Sequence, residues 1–442
     1  MNHRALAAVT LLLCALAGSA SGQSLNARRT GMGGVLLPGG GSGSAAVNVA
    51  YQAVPSAPGS SYDLPLPIGL LPLINDPPVF DVKDPKFNVY DLANKLYNPP
   101  WNLQLVTPKT PSSDIVISLG RDYLSLQLGD IANVFPEHGS KFGGVAHFPA
   151  VGLGLRNFFA NVSGLTHVEN DLNLNEPLLA SLRNGEAFKT QTEYGLTDDA
   201  KGQAAGALQA GWAGALTRAN RDNKAHDRSG FYAGARVKLL RGLAYGESRN
   251  RAGFTTGDTL FSSSPIEIDY LGFTRTAMPS DGGWGQGIDA GVVWIARGFE
   301  IGVGGNDLSS RIKWKVEESV VQRDSVTGNV SSTVTAQGVP YTSEIPATYV
   351  VTAQRRFGGT LVAADAVRGI FDTTFHVGAE QWVGPVALRA GGSLDGEQQI
   401  QYAGGVGLKF GRIGADAGVA TNSRNLSRQR GLELCVGLAL YH

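Results

Sequence analysis

The sequence predicts an all-β fold, a closed antiparallel transmembrane β-barrel, and three observations predict it. From residue 114 to the end, segments of about 8 to 12 residues alternate apolar with polar or small positions, the two-residue period of strands whose faces meet different surroundings. Short turns such as Gly411-Arg412, Ala296-Arg297-Gly298 and Val383-Gly384-Pro385 alternate with long polar connections over 217–229 and 319–346, as in a barrel with tight turns at one end and loops at the other. Aromatic residues, among them Trp212, Phe231, Trp294, Phe299, Trp382 and Phe410, fall near segment ends, where interfacial girdles place them. A soluble β-sandwich has the same period; the turn asymmetry and the aromatic positions favour the barrel.

The chain opens with Arg4, an apolar run over 5–17 and the small residues Gly18, Ser19, Ala20, Ser21 and Gly22, so residues 1–22 are expected to be a secretory signal peptide. The run is shorter than the roughly 20 apolar residues of a helical span. Residues 23–113 differ in character. A glycine-rich stretch at 31–43 is followed by prolines that include Pro55, Pro58, Pro65, Pro67, Pro77 and Pro78, with no clean strand before Asp114. Proline lacks the ladder donor, so this region is expected to be an irregular plug in the lumen, with a short helix over 90–96; a flexible tail is the alternative. Residues 114–442 form the barrel. An irregular stretch at 169–189 holds a second short helix over 176–183, with proline near its start.

Within the barrel region the faces can be assigned by parity. Leu434, Val436, Leu438 and Leu440 project to one side, and Cys435, Gly437 and Ala439 to the other. Ile288, Val292 and Trp294 flank Asp289 in the same way, as Val237 and Leu239 flank Arg236 and Lys238, and Leu388 and Ala390 flank Arg389. Charges are thus turned toward a lumen and apolar side chains toward lipid.

Composition excludes other classes. Lys+Arg and Asp+Glu balance at 37 each, which leaves no basic face for nucleic acid. Past the signal segment only Cys435 remains, so neither a disulfide nor a cysteine metal site is expected. The 59 glycines, about 13% of the chain against a usual ~7%, lie in the alternating strands, where closely approaching backbones explain them. Asp365, His376 and Glu380 invite a metal or acid–base reading, but His376 and Glu380 lie about 13 Å apart along a strand. They are read instead as structural lumen charges together with Asp289 and Arg389, which pairs across strands. No catalytic residue, metal or cofactor is assigned, and the protein is read as a non-enzyme. The apolar residues Leu64, Leu66, Ile68, Leu70 and Leu71 are the candidate lining of a hydrophobic ligand site.

The opening Asn26-Ala27-Arg28-Arg29-Thr30-Gly31-Met32-Gly33-Gly34 resembles the "Ala-Arg, small, Gly-Met-Gly" start of the superfamily of FadL-type fatty acid transporters, PorV-like and TraF-like outer-membrane proteins. Gly287-Ile288-Asp289-Ala290-Gly291, then Ala363-Ala364-Asp365, His376-Val377-Gly378-Ala379-Glu380 and Leu388-Arg389-Ala390-Gly391 continue the likeness in order. The "Asn-Pro-Ala" that follows the opening in that group is matched only by Asn48-Val49-Ala50. The resemblance implies a barrel of about fourteen strands with its N-terminal segment in the lumen, set in the bacterial outer membrane. It also implies either binding or passive transport of hydrophobic small molecules, or an accessory role beside a secretion or surface-assembly protein. Outer-membrane lipid is the expected surrounding.

Overall fold

Alternating sequences of this kind can satisfy their backbone amides only in ladders, and ladders dominate the molecule. The computed structural model describes residues 26–40, 44–57, 61–65, 102–104, 116–120, 123–127, 140–147, 151–184, 186–217, 228–258, 268–278, 282–323, 330–396, 400–421 and 431–441. The expected signal peptide and the helix over 90–96 lie outside the described residues.

The strands are β1 (Ser61–Pro65), β2 (Asn102–Gln104), β3 (Val116–Gly120), β4 (Tyr123–Gln127), β5 (Ser140–His147), β6 (Val151–Leu155), β7 (Phe158–Leu174), β8 (Glu193–Ala215), β9 (Gly230–Thr255), β10 (Ile268–Ala277) and β11 (Trp284–Ala296). They continue as β12 (Phe299–Asn306), β13 (Ser310–Arg323), β14 (Val330–Ile345), β15 (Thr348–Phe357), β16 (Thr360–Arg368), β17 (Thr373–Val383), β18 (Val386–Leu394), β19 (Ile400–Phe410), β20 (Ile413–Thr421) and β21 (Gly431–Tyr441). Two short helices, α1 (Ala27–Gly31) and α2 (Glu176–Asn184), and a 3-10 turn at Val49–Ala53 complete the described elements.

All the described pairings are antiparallel, and apart from the separate β3–β4 hairpin they join into one wall. Several wall positions are built from two strands placed end to end. β10 and β11 share β9 as a neighbour, β5 and β6 share β7, and β1 and β2 share β21. β12 with β13, and β14 with β15, form two more such positions. Counted this way the described wall has fourteen positions, from β5/β6 at one end to β1/β2 at the other. Those end positions run in opposite senses, as the seam of an antiparallel barrel requires.

The outside of the wall is apolar. On β11, Trp284 and Trp294 both face outward, with Ile288 and Val292 between them and Asp289 buried on the inner side. At about 3.3 Å per residue and a tilt near 40°, the two tryptophans stand about 25 Å apart along the barrel axis, the height of the lipid-facing band of a membrane barrel. Val237, Leu239, Val303, Val351, Val377, Leu388, Val406 and Leu438 are exposed on the same face. No described helix is long and apolar enough to cross a membrane.

Tight turns at Arg156-Asn157, Arg297-Gly298, Gly358-Gly359, Gly384-Pro385 and Gly411-Arg412 lie at one end of the barrel. At the other end the wall is uneven. Strands β16 to β21 stop near the band, whereas β7, β8, β9, β10, β13 and β14 continue beyond Trp284 as a taller, polar sheet. Its inner face packs Leu165, Leu240, Tyr245, Ile312, Trp314 and Ile345. Inside runs a chain of hydrogen bonds in which Trp314 Nε1 donates to Ser343 Oγ (2.8 Å), Ser343 Oγ donates to Gln203 Oε1 (2.6 Å), and Gln203 Nε2 reaches His167 Nδ1 (3.0 Å). His167 Nε2 in turn meets Glu169 Oε2 at 3.2 Å. Because Gln203 donates to Nδ1, the ring is neutral with its proton on Nε2.

Four sequence expectations are corrected. Residues 319–346 are not a polar connection: they belong to β13 and β14, whose exposed Ser and Thr positions face solvent above the band. The link over 217–229 joins β8 to β9 at the tight-turn end, not among the loops, and β7, β8 and β9, at 17, 23 and 26 residues, far exceed the expected strand length because they serve both band and extension. Strands also appear before Asp114, since β1 and β2 extend the wall beside β21. The helix expected over 176–183 is present as α2.

One outcome follows. Val237, paired with Ile288 midway between the tryptophans, is outward, while Arg236 and Lys238 beside it are inward and paired. Val237→Arg is expected to cost about 2–4 kcal/mol of folding stability in vesicles by urea titration, and Val237→Leu close to nothing.

Candidate functional site

The lumen site begins with the N-terminal segment, which the barrel wall surrounds. Asn26 caps α1 by accepting from Arg29 N (3.0 Å), and the one-turn helix aims Arg28 at the wall. Arg28 donates from Nε and Nη2 to the two carboxylate oxygens of Glu380 on β17, at 2.8 and 2.7 Å. Glu380 Oε2 also accepts from Arg389 Nε on β18 (2.8 Å), and Arg389 Nη1 lies 2.6 Å from Asp416 Oδ1 on β20. Four charges of alternating sign therefore run from the segment across the wall. Gly407 of β19 lies between Arg389 and Asp416, and a Cβ there would stand 2.4 Å from the Asp416 carboxylate.

Close approach explains other wall glycines. A Cβ on Gly405 would meet Gly31 Cα at 2.9 Å, and Met32 lies so close to Gly378 and Gly391 that neither has room for a side chain. Met32 and Val35 pack on Leu361 and Ala363.

Further along, Asn48 is a wedge between strands. Its Nδ2 donates to Val292 O on β11 (3.1 Å) and Val303 O on β12 (3.0 Å), while its Oδ1 accepts from Ala50 N (2.9 Å) and caps the 3-10 turn. Gly291 and Gly304 leave room for it. Asn306 Nδ2 donates to Val47 O (3.1 Å), Gln354 Nε2 to Pro38 O (3.1 Å), and Tyr51 Oη is 3.2 Å from Thr352 Oγ1. The segment thus contacts β8, β9, β11, β12 and β15 to β21 from inside.

The sequence-predicted charges all face this interior. Asp289 pairs with Arg236 and with Lys238 Nζ (2.8 Å) and accepts from Asp307 N (2.7 Å). Asp365 takes His376 Nδ1 at 2.6 Å across the β16–β17 ladder and accepts from Leu36 N at 2.5 Å. Glu380 and Arg389 are register partners. His376 and Glu380 do not meet at a common point. Leu64 lies in β1, opposite Leu438 on the wall, while Leu66, Ile68, Leu70 and Leu71 lie outside the described residues. Among the described residues no group of three His, Cys, Asp or Glu side chains is placed to hold a metal ion. Sequence reasoning did not single out Asn48, Asn306, Tyr51 or the Glu300–Arg228 pair (2.7 Å). Only Asn48 carried a signal, its place in a partial motif.

Between the segment and the wall is a cavity of about 430 Å³ at the end away from the tight turns. Leu36, Val47, Val350, Val367, Ile370 and Phe371 give it an apolar side, and Arg29, Lys141, His147, His376, Asp372 and Asp395 a polar one. The Asp365–Leu36 contact lies beside its floor.

No family model and no curated protein matches the chain. Among solved structures it is similar to the Pseudomonas putida toluene transporter TodX, with 11% identity, a TM-score of 0.31 and coverage of 69% of this chain and 89% of that one. It is also similar to the Ralstonia pickettii toluene transporter TbuX, with 13% identity, a TM-score of 0.29 and 70% and 90% coverage. A mutant Rh. blastica porin follows at 10% identity, a TM-score of 0.23 and 69% and 99% coverage. Such values carry no functional argument.

Glu380→Gln removes the charge that two buried guanidinium groups share, and is expected to destabilise the fold by roughly 3–5 kcal/mol. Arg28→Met leaves Glu380 paired with Arg389 and is expected to cost less, while freeing residues 26–57 to protease in a barrel that still migrates as folded. Unfolding in vesicles and limited proteolysis measure the two effects.

Proposed function

We propose that the protein is an outer-membrane barrel that binds a hydrophobic small molecule bearing a polar end and passes it through the lumen when the N-terminal segment shifts. The observation that carries this reading is the cavity between segment and wall. Its volume of about 430 Å³ falls within the ~300–1,000 Å³ of small-molecule sites. Its Val367, Ile370 and Phe371 side suits an apolar body, and His376 and Arg29 suit a polar terminus. Part of its floor is the clamped segment itself, so a ligand there lies against the element that must move for passage. The role is binding and passage rather than catalysis.

A second reading, an accessory barrel for secretion or surface assembly, is favoured by the tall polar sheet of β7 to β10, β13 and β14. A purely passive conduit has no need of a platform beyond the band.

Val367→Trp fills the cavity from the inward face of β16. It is expected to weaken binding of a medium-chain fatty acid or an alkylbenzene by about tenfold or more in calorimetry, without lowering the melting temperature. Undiminished binding in this variant removes the cavity from the account. Unchanged uptake of every apolar substrate in a deletion strain, with loss of a surface-exported protein, establishes the accessory role.

A further inference from the structure

Arg355, like Arg241 stacked on Trp284 at the other edge of the band, is a charge on the membrane-facing wall whose position the lumen networks do not explain. Arg355 has the outward parity of Val351, Ala353 and Phe357 on β15, opposite Phe299 in register and beside outward Val362 of β16. Its guanidinium carbon lies 4.0 Å from the Phe299 ring centroid and 4.2 Å from that of Phe357, so two aromatic faces hold it. Its Nε is shielded from solvent and has no hydrogen-bond partner. Among the described residues no carboxylate lies within ion-pair distance of it. The site is a few residues from the Arg297-Gly298 and Gly358-Gly359 turns, at the lower edge of the apolar band.

A cation on the lipid face is costly at mid-depth and tolerable at the interface, where its long side chain reaches toward headgroups. Arg156, Arg297 and Arg412 occupy three of the five tight turns at this end, none of which contains a carboxylate, while the longer β8–β9 link carries charges of both signs. The partner that complements a planar cation held at headgroup depth, with apolar rings around it and further arginines at the rim, is a phosphate attached to acyl chains.

We propose that Arg355, clamped by Phe299 and Phe357 and supported by Arg297, is a binding site for the headgroup of an anionic phospholipid on the outer wall at the tight-turn end. The acyl chains lie along Ile301, Val351 and Val362, and the phosphate meets the guanidinium edge. The clamp fixes the guanidinium plane before lipid arrives, so less rotamer freedom is lost on binding than for a free surface arginine.

The proposal rests on the outer-membrane reading, and the experiment separates the two. Full-length protein is refolded into phosphatidylcholine vesicles with and without one-fifth phosphatidylglycerol, and heat-modifiable gel mobility reports insertion. Failure to insert in either vesicle overturns the membrane reading itself. Lipid retained through purification is then counted by native mass spectrometry. Wild-type protein is expected to keep phosphatidylglycerol in preference to phosphatidylcholine. Arg355→Gln, inserting normally, is expected to weaken that retention about fivefold. Phe299→Leu with Phe357→Leu keeps the charge, removes the clamp and is expected to fall between them, whereas Arg412→Gln is expected to change it little. Equal phosphatidylglycerol retention by wild type and Arg355→Gln, both inserted, overturns the proposal.

Discussion

A carboxylate enclosed by a barrel wall must be paired, and Glu380 is paired twice, by Arg28 from the N-terminal segment and by Arg389 from the neighbouring strand. Taking such charges out of water is costly enough that each tolerates few alternative positions. The segment is therefore registered against β17, and the other inner contacts follow from that registration. Met32 settles on Gly378 and Gly391, Leu36 reaches Asp365, and Asn48 comes to lie over Gly291 and Gly304. The wall's glycines and the segment's backbone are two halves of one packing arrangement, which is why the chain carries so much glycine without a flexible linker.

The same arrangement relates the fold to the proposed role. The segment closes much of the lumen, and the cavity lies where segment and wall part company, near the rim of the shorter side. A ligand that separates Leu36 from Asp365, or moves Val47 away from Asn306, works on single hydrogen bonds rather than on the two-pronged Arg28 fork. The segment can thus yield locally while α1 stays anchored, a division of labour between a bidentate ion pair and single bonds, of which only the one to Asp365 is charge-assisted. Outside, the aromatic rows at the two edges of the band differ: Trp284 stacks with Arg241 beneath the polar extension, and Phe299 and Phe357 hold Arg355 at the turns.

Much of this was legible in the sequence wherever the period of two was unbroken. Leu388, Arg389 and Ala390, or Ile288, Asp289 and Ala290, declare their faces because one parity meets lipid and the other a lumen. The pairing of Glu380 with Arg389 was legible for the same reason. What pattern reading missed has physical causes. The Ser- and Thr-rich residues of β14 read as a loop because both faces of a strand above the band can be polar. β1 was hidden by Pro65, which is tolerated at the end of a strand segment. Asn48 acts on carbonyls of β11 and β12 that are more than two hundred residues away, and no local signal records such a contact. The cavity combines six separate parts of the chain, and its lining has no linear signature.

Hydrogen exchange on the wild-type protein folded in vesicles tests the central claim most directly, that the N-terminal segment is an integral part of the barrel interior. The amides of Met32, Gly34, Tyr51 and Val54, each bonded within the segment, are predicted to exchange on the timescale of wall amides in β17 and β18. Exchange of those four amides within seconds, beside a protected wall, would contradict it.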